Sequence, residues 1–118
     1  MGAVAARLAD RVILTAEDPR TESLDDILAA LATGCEGEGK VEGRDYWRIP
    51  DRGEAITFAV EMAGPGDVVI VCGKGHEQSM AFGTTEYPWD DRVALRAALD
   101  HRLGRGPRPV SHLPTASE

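Results

Sequence analysis

Two hydrophobic periodicities alternate along this chain. Residues 11–17, RVILTAE, form a continuous apolar and β-branched run, the pattern of a strand covered on both faces. Pro19 ends any strand there. After Ser23, the residues Leu24, Ile27, Leu28 and Leu31 fall at i, i+3, i+4 and i+7, which predicts a helix with one apolar stripe. Ser23 and Asp26 have capping-box spacing at its start. Gly34 is expected to end it, leaving GCEGEGKVEGR as a solvated loop. DYWRIPD, 45–51, predicts a weaker strand closed by Pro50, and 52–63 predicts a helix with Ile56, Ala59, Val60 and Ala63 on one face.

The strongest strand signal is DVVIVCG, 67–73. The irregular stretch QSMAFGTTEYPW follows and suits a short hairpin. Asp90 predicts the cap of a last helix over 91–103, with Leu95, Leu99 and Leu103 turned inward. Residues 2–9 read as part of a helix that begins without a cap. From Gly104 to the end the chain has prolines and no periodicity, so a disordered tail is expected over 104–118.

Doubly covered strands alternating with amphipathic helices predict an α/β fold: a Rossmann-like, mostly parallel sheet flanked by helices. Three or four strands make a thin sheet, and the first helix starts abruptly. Residues 1–103 therefore read as one domain truncated at its N-terminal edge, lacking a first strand.

A net charge of -7 argues against nonspecific binding to nucleic acid or anionic membrane. No apolar run approaches the roughly 18 residues of a membrane span. The start has neither the basic segment nor the apolar stretch of a signal peptide, and a cytoplasmic setting is expected. Cys35 is expected in a loop and Cys72 at a strand end, a spacing that suits free thiols in a reducing compartment. No metal site is expected, because neither cysteine has a second ligand at metal spacing.

In open α/β sheets, ligands bind beyond the carboxyl ends of the strands. Two such ends are charged: Glu17-Asp18-Pro19-Arg20 after the first strand, and Gly73-Lys74-Gly75-His76-Glu77 after the strongest one. If those strands are neighbours, a guanidinium faces a carboxylate across a crevice. That pairing suits a ligand carrying its own carboxylate and ammonium, such as an amino acid. The plainer reading stays open: Gly-Lys-Gly also makes a tight corner, Arg20 also pairs with Glu22, and His76 also bonds to backbone. Spacing excludes a phosphate-binding P-loop and a dinucleotide fingerprint. No self-sufficient catalytic centre is present. Asp90-Asp91-Arg92 reads as a helix cap with a surface ion pair, and Trp47 and Trp89 as core or crevice wall.

TAEDPRTE, DRGEAI, GDVVIVCGKGHEQ and DDR, in that order, resemble the C-terminal domain of the Mur ligases, and among these the diaminopimelate-adding branch. The resemblance covers about residues 1–103. It implies an ATP-dependent amide-forming enzyme of three domains in peptidoglycan synthesis. ATP and Mg²⁺ would be bound mainly by domains outside this chain, as would the UDP-MurNAc-dipeptide partner. The third domain brings the amino acid, meso-diaminopimelate.

Carried over by motif, Glu17, Asp18, Pro19 and Arg20 match the family's Asp-Asn-Pro-Arg, and Arg20 would bind the distal carboxylate. Gly73 and Glu77 would contact the same distal centre, with Lys74 and His76 as supporting candidates. Two departures bear on the amine accepted: Glu17-Asp18 replaces Asp-Asn, and QSM replaces the usual tyrosine-glutamine pair. The family's Asp-Tyr-Ala-His turn and Gly-Asp-Arg segment have no match here, so the chain alone is not expected to catalyse ligation. The alternatives are a free-standing noncatalytic binding or partner module, and a Mur-like ligase using a different amine.

Overall fold

The computed structural model describes residues 2–19, 21–72 and 78–116. Helix α1 (Gly2–Leu8) leads into strand β1 (Val12–Leu14), followed by α2 (Leu24–Gly37), β2 (Tyr46–Arg48) and α3 (Arg52–Met62). The hairpin β3 (Ser79–Phe82) and β4 (Thr85–Pro88) precedes α4 (Asp91–Arg102). β1 and β2 pair in parallel, Val12 opposite Tyr46 and Leu14 opposite Arg48. β3 and β4 pair antiparallel. The α/β reading holds, with a small parallel sheet beside helices.

Three helix starts follow side-chain capping. Ser23 Oγ accepts from Asp26 N–H at 3.3 Å, Asp51 from Glu54 N–H at 2.9 Å and Asp90 from Arg92 N–H at 2.9 Å. The caps satisfy amide donors that a helix start leaves without intrahelical partners.

The end of α2 differs from expectation. The helix runs through Gly34 to Gly37, so Cys35 lies inside it, fully buried. Gly34 serves close packing: a Cβ there would lie 2.7 Å from the Ala3 nitrogen of α1. Termination falls at Gly39, whose φ of 81° suits glycine, with Gly39 N–H donating to Glu36 O and Lys40 N–H to Cys35 O. This is the Schellman arrangement, displaced five residues from the glycine that the pattern singled out.

Two apolar clusters form the core. One joins α1, β1, α2 and β2 through Ala6, Val12, Leu14, Leu28, Ala32, Cys35 and Tyr46. The other joins α3, the hairpin and α4 through Ala16, Ile56, Val60, Met80, Trp89 and Ala98. Leu24 packs against both. α4 turns Ala94, Leu95 and Ala98 toward this second cluster, whereas Leu99 and Leu103 are exposed, contrary to the expected stripe.

The strongest strand signal forms no ladder among the described residues. In residues 68–72, Val68, Ile70 and Cys72 are exposed while Val69 and Val71 are half-buried, the alternation of a strand with one face on the core. Val71 packs on the second cluster. A β-rich sequence makes a strand only where a neighbour supplies the matching backbone groups.

Within the segment 104–118, expected to be disordered, residues 108–116 make contacts with the domain. Leu113 is buried in the second cluster, Ser111 and Thr115 hydroxyls each donate to Asp51 Oδ1 at 2.8 Å, and Arg108 pairs with Glu61. The His112 ring lies 6.0 Å from that of Trp89. These contacts come from one apolar residue and a few polar ones, without periodicity.

Candidate functional site

The two charged segments leave the core from positions held by one side chain. Arg52, at the start of α3, is buried to 2% exposure. Its Nε and Nη2 donate to Asp91 Oδ1 and Oδ2, both at 2.7 Å, a two-point ion pair. Nη1 donates to Ala16 O at 3.1 Å, and Nη2 also donates to Cys72 O at 2.8 Å. Ala16 immediately precedes Glu17, and Cys72 immediately precedes Gly73. Trp89 Nε1 donates to the same Asp91 Oδ1 at 2.7 Å. Removing either partner would leave the other's charge buried without its counter-ion.

Asp18 has a φ of 37°, in the left-handed region that Asp and Asn tolerate better than most residues. Its Oδ1 accepts from Ala81 N–H at 2.8 Å, which fastens the first turn to β3. An asparagine carbonyl at this place would accept the same bond. Glu17 is exposed and Pro19 buried. Arg20, Gly73, Lys74, His76 and Glu77 lie outside the described residues.

Arg52 and Asp91 were not identified as site-supporting residues from sequence. Asp90 and Arg92 do form the expected surface pair at 3.0 Å, but Asp91 points inward. The available signal was the pairing of DRGEAI with DDR, a basic and an acidic residue each at the first position of a helix. Spacing in sequence does not say that they meet.

A cleft of about 400 Å³ lies between α3, the start of α4 and the C-terminal segment, lined in part by Thr57, Pro88, Trp89, Val93, Val110 and His112. Neither Glu17 nor Asp18 lines it. Among the described residues, no three His, Cys, Asp or Glu side chains are grouped to hold a metal ion. No helix among them is long and apolar enough to cross a membrane.

Several carboxylates are held below their ordinary range. An Arg48 hydrogen bond lowers Glu42, and the Val41 N–H lowers Asp45 with help from Arg44. Arg108 lowers Glu61, and Arg92 lowers Asp90. Burial pushes the Cys35 thiol up.

Residues 1–75 match the family described as Mur ligase, glutamate ligase domain. The chain is 48% identical over 105 residues to the UDP-N-acetylmuramyl-tripeptide synthetase of Roseiflexus sp. (strain RS-1), covering 89% of this chain and 20% of that protein. It is also 48% identical over 107 residues to the UDP-N-acetylmuramoyl-L-alanyl-D-glutamate--2,6-diaminopimelate ligase of Thermosynechococcus vestitus, covering 87% of this chain and 20% of that one. A solved UDP-N-acetylmuramoyl-L-alanyl-D-glutamate--2,6-diaminopimelate ligase superposes with a TM-score of 0.68 at 37% identity, over 80% of this chain and 19% of that one. The chain thus spans about a fifth of the length of these relatives. With a family match over more than half its residues and a shared fold, this chain belongs to the Mur ligases, as a glutamate ligase domain.

Proposed function

We propose that this chain is the amino-acid-presenting domain of an ATP-dependent ligase that adds meso-diaminopimelate to UDP-N-acetylmuramoyl-L-alanyl-D-glutamate. The observation that carries the reading is the shared anchoring of Ala16 and Cys72 on Arg52, which starts EDPR and GKGHE from neighbouring points. The names of the relatives supply the substrate.

In this reading Arg20 holds the distal carboxylate through two parallel hydrogen bonds, and Glu77 accepts from the distal ammonium. Gly73 lets the backbone approach that centre, and Lys74 and His76 add donors beside it. Asp18 shapes the first turn through its bond to Ala81 N–H. Glu17, exposed beside it, adds negative charge that favours an ammonium over a second carboxylate.

Activation is assigned to ATP with magnesium in the larger protein: the γ-carboxylate of the D-glutamate would take the γ-phosphoryl group of ATP, releasing ADP, to give an acyl phosphate. The amine of diaminopimelate attacks its carbonyl carbon, the C–N bond forms, phosphate leaves, and the nitrogen gives up a proton. The role given to this chain is to orient the amine. Fixing a nucleophile against an activated carbonyl removes much of the entropic part of the barrier.

The test places the full chain in the Thermosynechococcus ligase in exchange for the matching segment. The exchanged enzyme should ligate meso-diaminopimelate and discriminate against L-lysine. Arg20→Ala should lower kcat/KM for diaminopimelate by the equivalent of about 1.5–3 kcal/mol, the worth of a hydrogen bond to a charged partner. Unchanged kcat/KM in folded enzyme, or equal use of lysine, refutes the distal-carboxylate assignment. Ligation of another amine in preference would identify Glu17-Asp18 as a specificity change.

A further inference from the structure

We propose that residues 108–116 are a docking hook that exchanges between copies of this chain, received on a face built from α3 and the end of β4. The partner of that face is the same segment of a second copy, and the turn at Gly104 decides which copy receives it.

The hook has a local shape of its own. Ala116 N–H donates to Leu113 O at 3.1 Å and Leu113 N–H to Ser111 Oγ at 3.3 Å. This turn brings the hydroxyls of Ser111 and Thr115 to one oxygen, Asp51 Oδ1, each at 2.8 Å. Between them Leu113 enters the second apolar cluster, 3% exposed. Arg108 donates to Glu61 through two nitrogens, at 3.2 and 3.3 Å, and His112 Nε2 donates to Pro88 O. Gly53 permits the close approach, since a Cβ there would lie 3.2 Å from Ser111 Cβ. Two carboxylates, a carbonyl and an apolar socket thus meet two hydroxyls, a guanidinium, an imidazole and a leucine. Matching of this kind, side chain by side chain, is how a surface recognises a peptide, and the seated segment states what the face accepts.

The tether between α4 and the hook is short. α4 ends in a Schellman turn: Gly104 N–H donates to His101 O at 3.0 Å, Arg105 N–H to Asp100 O at 2.7 Å, and Gly104 has a φ of 74°. From there the chain returns to α3, where Arg108 pairs with Glu61. A hook on a short tether meets its own face at an effective concentration of about a millimolar, which keeps it in place in dilute protein. Sent in another direction, it makes the same contacts on a second copy, and two such exchanges close a symmetric dimer.

The test redirects the hook in the 118-residue chain. Gly104→Ala, Arg105→Ala and Gly106→Ala together replace the turn with helix formers, which carry α4 onward by about 4.5 Å and away from α3. Light scattering on a size-exclusion column should show the parent at one chain's mass and the triple variant at twice that mass, with similar circular dichroism. Adding Leu113→Ala to the triple variant, or an excess of free peptide 106–118, should return it to one chain's mass. A second arm keeps the native turn: a protease site inserted between Arg105 and Gly106 is cut in the full chain, and fluorescein-labelled peptide 106–118 is added. The labelled peptide should exchange into the cut chain, read as a rise in anisotropy, and its Leu113→Ala form should bind at least about tenfold more weakly.

A folded triple variant of one chain's mass, or a dimer that survives Leu113→Ala, overturns the proposal. If the triple variant does not fold, the cut chain decides. Labelled peptide that fails to exchange, or that binds equally well with Leu113→Ala, overturns it there.

Discussion

Asp51 is 1% exposed and carries three hydrogen bonds from two distant parts of the chain. Oδ2 caps α3 through Glu54 N–H, and Oδ1 receives the hydroxyls of Ser111 and Thr115. Asp51→Ala removes all three. The lost cap costs about 1 kcal/mol. Each hydroxyl bond to a charged acceptor is worth about 1.5 kcal/mol, taking the low end because Ser111 and Thr115 are half-buried and turn to water when released. The three share one acceptor and do not add fully, so the expected loss is about 3 kcal/mol.

Urea unfolding followed by tryptophan fluorescence measures it, because the Trp89 ring lies against His112 of the same C-terminal segment. A double-mutant cycle with Ser111→Ala isolates the coupling, expected at about 1 kcal/mol. If Asp51→Ala costs no more than about 1 kcal/mol and the cycle shows no coupling, the carboxylate is a helix cap alone. The fastening of residues 108–116 to α3 would then be refuted.

Three further outcomes are expected. Gly34→Ala should destabilise by about 1–3 kcal/mol, because its Cβ would meet the Ala3 nitrogen at 2.7 Å, while Gly37→Ala, with open space around it, should stabilise by up to about 1 kcal/mol in thermal melts. Asp18→Asn should leave stability within about 0.5 kcal/mol, whereas Asp18→Ala should lose about 1–2 kcal/mol through the orphaned Ala81 N–H. Acid should destabilise the fold through Glu42, Asp45, Glu61 and Asp90, whose folded pKa values are depressed. A depressed carboxylate favours folding above its unfolded pKa near 4, and that contribution is lost as pH falls through the lower folded value. Melting temperature should therefore fall below about pH 4, and Asp45→Asn should flatten the decline.

The local sequence determined most of the elements. Caps at Ser23 and Asp90, apolar spacing in α2 and α3, and the β-branched run at Val12–Leu14 are near-neighbour effects, and each appears where its pattern lies. The paired charged segments and the family motifs were legible for the same reason, since they are short and contiguous. Tertiary structure decided what depends on partners distant in sequence. Gly34 could be recognised as a packing glycine only once α1 lay against α2. Residues 68–72 carry the strongest strand signal yet make no ladder here, because a strand needs backbone groups that another segment must bring. Arg52 and Asp91 stand 39 residues apart, and each looks like an ordinary charge at a helix start. Folding removes both from water, and a buried guanidinium must then find a carboxylate and spare carbonyls. That requirement joins Asp91, Ala16 and Cys72 in one cluster, and no spacing along the chain encodes it.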